Sequence, residues 1–120
     1  MERVEHASPV DNHAELCVAA LGAELTAYVA GATTVSEFES WFTAPARPDG
    51  RVRRRLAAAA EIISVFETAN RTAVTGAWLR EVDATGYVPA RVLRLSDGDE
   101  VSVKALLEAA IAWAFTPPEG

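Results

Sequence analysis

From Leu16 onward, apolar side chains return every three or four positions, at Leu16, Ala20, Leu21, Leu25, Tyr28 and Val29. That interval is the repeat of an α-helix, not the strict alternation of a strand. Asn12 and Glu15 stand ahead of the run with the spacing of a capping pair, Gly22 is a point at which it can divide, and Gly31 ends it. Thr34 and Glu37 repeat the capping spacing, and Val35, Phe38, Trp41 and Phe42 then share a face. Pro45 and Pro48 enforce a turn. Val52, Leu56, Ala59, Ile63 and Phe66 follow at intervals of four, three, four and three. They predict a long helix from Asp49 or Gly50 to about Ala69 with one buried stripe, and the alanines at 57–60 favour helix there.

The pattern continues to the far end. A short helix is predicted over Ala73–Val82, with Trp78 and Leu79 inward and Gly86 beyond it. Pro89 suits the first position of another, Pro89–Leu95. Ser96-Asp97-Gly98-Asp99 reads as a turn. The last helix is predicted from about Ser102 to Phe115, with Val103, Leu106, Leu107, Ala110, Ile111 and Ala114 inward and Pro117 and Pro118 ending it. No stretch alternates as a strand. The expected fold is all-α with about six helices. It divides into a flexible N-terminus (1–10), a helix-turn-helix-like part (11–70), a second helical part (71–116) and a tail (117–120), the whole collapsing around Trp41, Phe66 and Trp78.

Composition narrows the chemistry. Half of the 120 residues are hydrophobic, enough for a buried core and unlike a disordered tail protein. Seventeen acidic and eleven basic side chains give a net charge of −6, which excludes a generally basic nucleic-acid coat and leaves room for a local basic patch. Cys17 is the single cysteine, so neither an intrachain disulfide nor a zinc knuckle can form. MERVEHASPV lacks the apolar core of a signal peptide, and no run approaches the roughly 18 apolar residues of a membrane span. A cytoplasmic protein with no membrane partner is expected. His6 and His13 have no ligand partner at helical spacing, and Asp97-Gly98-Asp99-Glu100 is too short for an EF-hand. No phosphate loop or nucleophile elbow occurs. The expectation is a protein without catalytic residues, metal or cofactor, in which Cys17 is a buried, inert thiol.

Residues 23–42 have the outline of a helix-turn-helix unit, whose second helix would expose Ser36, Glu37, Glu39 and Ser40. The two glutamates oppose phosphate. Five arginines follow at Arg47, Arg51, Arg53, Arg54 and Arg55. Val52 and Leu56 take the inward direction, so these arginines are candidates for phosphate contact together with Ser36 and Ser40. The alternative is a solvated face paired with Asp49, Glu39 and Glu61.

The order of these features resembles actinobacterial proteins of the Xre/MbcA/ParS antitoxin family. The likeness is carried by Leu21-Gly22-Ala23-Glu24-Leu25-Thr26-Ala27-Tyr28-Val29-Ala30-Gly31, Trp41 and the proline turn, and the helix from Arg55-Leu56 to Ile63. It continues through Ala77-Trp78-Leu79, Pro89-Ala90-Arg91-Val92-Leu93-Arg94 and Gly98-Asp99 to an alanine-rich last helix ending in Phe115. The chain departs from the family pattern at Asp83-Ala84, where an Asn-Pro turn is usual, and at Val88, where a serine is usual. The resemblance implies a helix-turn-helix-like N-terminal part and a C-terminal part that binds a toxin, typically a RES-domain protein that degrades NAD. Arg91, Arg94, Trp113, Phe115 and Thr116 would then meet the toxin. A homodimer is expected, since helix-turn-helix readers pair to match operator symmetry. A stand-alone transcription regulator and a helical adaptor that has lost DNA binding are the alternatives.

Overall fold

The structure is a computed structural model. It describes residues 9–42, 50–81, 88–96 and 99–115, with side chains from His13 onward. Seven α-helices lie among the described residues, and no strand. They are α1 (Pro9–Leu21), α2 (Ala23–Ala30), α3 (Val35–Ser40), α4 (Gly50–Thr68), α5 (Thr75–Arg80), α6 (Pro89–Ser96) and α7 (Glu100–Ala114). A single 3-10 turn, Thr72–Val74, leads into α5. The expected turns at Pro45–Pro48, Asp97-Gly98 and Gly86 lie outside the described residues, as do Arg47 and Thr116.

The seventh helix arises at Gly22. With φ +91° and ψ 158° it leaves helical geometry between Leu21 and Ala23, a conformation only glycine adopts at little cost. One apolar run therefore becomes two helices. Helix α1 also starts earlier than the Asn12–Glu15 spacing predicts, at Pro9, whose locked φ suits a first helical residue. Helix α7 begins before Ser102 because the Asp99 side chain accepts a hydrogen bond from the Ser102 N–H at 3.0 Å and so caps a start at Glu100.

Helix α4 is the spine. It packs against α1 and α2 on one side and α7 on another, while α6 rests on α2 and α5 bridges α1 and α6. The whole stripe predicted for α4 is buried, from Val52 through Leu56, Ala59 and Ile63 to Phe66. It joins Cys17, Leu21, Val29, Leu79, Leu93, Leu106 and Ala110 in one continuous core cluster. The 11–70 and 71–116 parts thus share their interior. Phe66 is its aromatic centre, with its ring centroid 5.5 Å from Trp78 and 5.6 Å from Trp113. Trp41, expected at that centre, lies half-buried at the edge against Phe38, with centroids 6.4 Å apart. Leu16 and Tyr28 stay partly exposed. Ile111, expected inward, is 48% exposed, because the buried arc of α7 runs through Leu106, Ala110 and Ala114.

The Thr26 side chain is a buried hydroxyl without a partner. Thr26 is 0% exposed, and its hydroxyl finds no hydrogen bond. A buried hydroxyl without a partner is destabilising by about 1–3 kcal/mol relative to an apolar group of the same shape. Thr26→Val is therefore expected to raise the free energy of unfolding by ~1 kcal/mol in urea titration, and an unchanged or lowered midpoint would show that the hydroxyl is satisfied after all.

Candidate binding surfaces

The corner between α2 and α3 is where the helix-turn-helix outline becomes geometry. Helix α2 closes on Gly31, left-handed at φ +102°, and the Ala32 N–H reaches back to the Ala27 carbonyl at 2.9 Å, a Schellman ending. Thr34 caps α3, its hydroxyl accepting from the Glu37 N–H at 3.0 Å. The Glu37 carboxylate turns back and accepts from the Thr33 N–H at 2.7 Å and the Thr33 hydroxyl at 2.9 Å. It is a capping box displaced by one residue: the acid holds Thr33 where the usual pattern holds the cap itself. Ser40 donates to the Glu37 carbonyl at 2.7 Å, and Ser36 is exposed.

Two arginines from distant segments complete the corner. Arg55 of α4 is half-buried and donates through Nη1 to the Ala30 carbonyl at 3.0 Å. Arg94 of α6 donates through Nη1 to the Tyr28 carbonyl at 2.6 Å and the Ala32 carbonyl at 2.9 Å, its guanidinium 4.7 Å from the centre of the Tyr28 ring. Both charges sit at the negative end of the α2 dipole, where cations are favoured. A Cβ on residue 31 would run into the Arg55 guanidinium, so Gly31 serves the contact as well as the turn. The structure thus commits the guanidinium groups of Arg55 and Arg94, both half-buried, to backbone carbonyls of the α2–α3 corner.

The remaining described arginines of the cluster, Arg51, Arg53 and Arg54, are exposed on the first turns of α4, a helix start that carries no acidic residue. Arg91 is exposed on α6 beside a cleft of about 350 Å³ that Val88, Val92 and Leu95 help to line. Sequence reasoning missed Leu95 and Val101, which are exposed on α6 and α7. The signal was present in their position outside the apolar stripes.

The end of α7 holds the aromatic candidates. Trp113 is 44% exposed, leans on Phe66 and lies under the Arg71 guanidinium at 5.5 Å. It meets α4 through Phe66. Phe115 is 53% exposed. Two positions apart at about 100° per residue, Trp113 and Phe115 point to nearly opposite flanks of the helix end.

Nothing in the described residues brings three or more His, Cys, Asp or Glu side chains together as metal ligands. No described helix is long and apolar enough to cross a membrane. Cys17 is fully buried beneath α4, its thiol donating to the Leu56 carbonyl at 3.7 Å, and burial pushes its pKa up to about 12. That holds it in the unreactive thiol form.

Two exposed carboxyls titrate low. The Thr33 N–H and hydroxyl hold Glu37 below the usual carboxylate range, with the Arg94 charge adding a little, and the Ser102 bonds do the same for Asp99. Folded-state values below the unfolded ones mean that their contribution to stability is full above the ordinary carboxylate range and is lost as pH falls through the lowered values. In Glu37→Gln/Asp99→Asn, stability should accordingly decline less steeply with acidification than in the parent. Urea midpoints followed from neutral pH to about pH 2 test this, and parallel curves would rule it out.

The chain matches no protein-family model and has no significant match among curated proteins or solved structures.

Proposed function

We propose that this protein acts by binding: an antitoxin-like chain whose last helix docks on and neutralises a cognate toxin of the RES type, and which binds operator DNA through the start of α4. The observation that carries the partner half is the end of α7. Aromatic side chains are enriched at the energetic centres of interfaces, and Trp113 and Phe115 expose theirs on opposed flanks of one helix terminus. A helix end with aromatic groups on both flanks suits entry into a cleft better than apposition to a flat face. The resemblance of the sequence to the Xre/MbcA/ParS antitoxins supplies the kind of cleft.

Phe115 is the cleaner probe of the two, since Trp113 also supports Phe66. Phe115→Glu is expected to leave stability within about 0.5 kcal/mol while abolishing co-purification with the toxin and restoring its consumption of NAD. A variant that still neutralises at full strength would sink the docking role of α7.

The DNA half stands on Arg51, Arg53 and Arg54, exposed together at the positive end of a long helix. If they meet phosphate, changing each to alanine should flatten the salt dependence of operator affinity by about one unit of log slope per contact. Arg55→Ala should instead lower thermal stability, because its guanidinium is committed to the Ala30 carbonyl. The same slope in all four variants, measured by fluorescence anisotropy across a salt series, would remove DNA from the proposal.

A further inference from the structure

Helices α4 and α7 run side by side in the same direction. Arg54 and Glu100, near their starts, border one cleft, and Phe66 and Trp113, toward their ends, touch. The cleft between them has a volume of about 340 Å³. Its floor is apolar, made by Ala57 and Ala58 from one helix and Val103 and Leu107 from the other. Its rim is charged in a particular order. Going up α4 the charges are Arg54, then Glu61; going up α7 they are Glu100, then Lys104. Each wall thus carries one charge of each sign, in opposite order along the two helices.

That antisymmetry makes the groove complementary to its own image, whether the twofold axis runs along it or across it, and the axis along it is the one taken here. A twofold axis running along the groove exchanges its two walls without reversing their direction. Under it, Arg54 faces Glu100 of the second copy and Lys104 faces Glu61 of the second copy, each pairing occurring twice. A groove with one sign on both walls would repel its own image. We infer that the α4–α7 groove is where two copies of this chain pair, face to face and helices parallel.

Ile111 supports this independently. It lies four residues beyond Leu107 and seven beyond Lys104, hence on the same side of α7, and continues the groove wall upward. It is 48% exposed although flanked by buried Ala110 and Ala114. Pairing through the groove covers it. The inference does not rest on the toxin half of the antitoxin proposal, because it uses the α4 flank of α7 and leaves Phe115 outside the charged rim; it competes with the DNA half for Arg54 alone, since Arg51 and Arg53 do not line the groove.

The test is a charge-swap mixing experiment on the full chain, read by sedimentation equilibrium with helicity checked by circular dichroism. The parent is expected to be a dimer. Glu61→Lys and Lys104→Glu should each weaken self-association by about tenfold or more, since each homodimer then sets like charges opposite one another twice. Mixed in equal amounts, the two variants should associate as a heterodimer with affinity near the parent's, because every position again meets its opposite. Ion pairs made only within one chain gain nothing from mixing. A monomeric parent, single variants that dimerise undiminished, or a mixture that stays monomeric would each overturn the proposal. Ile111→Ser carries the test if either charge variant loses its helicity: weakened pairing is expected, and unchanged pairing overturns it.

Discussion

At the end of every α-helix several carbonyls are left without an N–H of their own, and in this fold the end of α2 lies beside the turn into α3. The chain closes part of that deficit locally, through the Gly31 ending. It closes the rest from afar, with one guanidinium sent from α4 and one from α6. The short helix α3 depends on this arrangement. Six residues are too few to hold a helix in water by themselves, so its direction comes from the Thr33–Glu37 box and from the turn that Arg55 and Arg94 hold in place. The helix-turn-helix outline is therefore a product of the whole molecule and not of residues 23–42 alone.

Much of this was legible in the pattern of the chain. The α4 stripe was, because a fully buried face leaves an unmistakable repeat. So were the Thr34–Glu37 cap, the glycine ending of α2 and the all-helical class. What escaped has common physical causes. Spacing says which residues share a face, but not how wide the buried arc is, and so Ile111 was placed inside when α7 meets its neighbours along a narrower arc. Long polar side chains reach beyond their own helix, and so Arg55 and Arg94 looked like surface charge when their tips end on carbonyls 25 and 62 to 66 positions away. The start of α1 at Pro9 was hidden because a capping pair at Asn12 offered an equally good local signal.

The basic cluster and the terminal aromatics each divide into scaffold and surface members. Arg55 belongs to the scaffold, while Arg51, Arg53 and Arg54 stand on the surface of the same two turns. Trp113 is half scaffold, braced on Phe66, whereas Phe115 is turned to the outside. A change at a scaffold position alters everything that rests on it, so only the outward members of each pair can report on recognition without reporting on folding.

The lone sulfur, sealed under α4 and bonded to the Leu56 carbonyl, sets a limit on how copies of this molecule can be joined. With its only thiol locked inside, the folded chain offers no cysteine for a disulfide to a neighbour. Any pairing of two folded copies must therefore be held by noncovalent contacts and not by a disulfide.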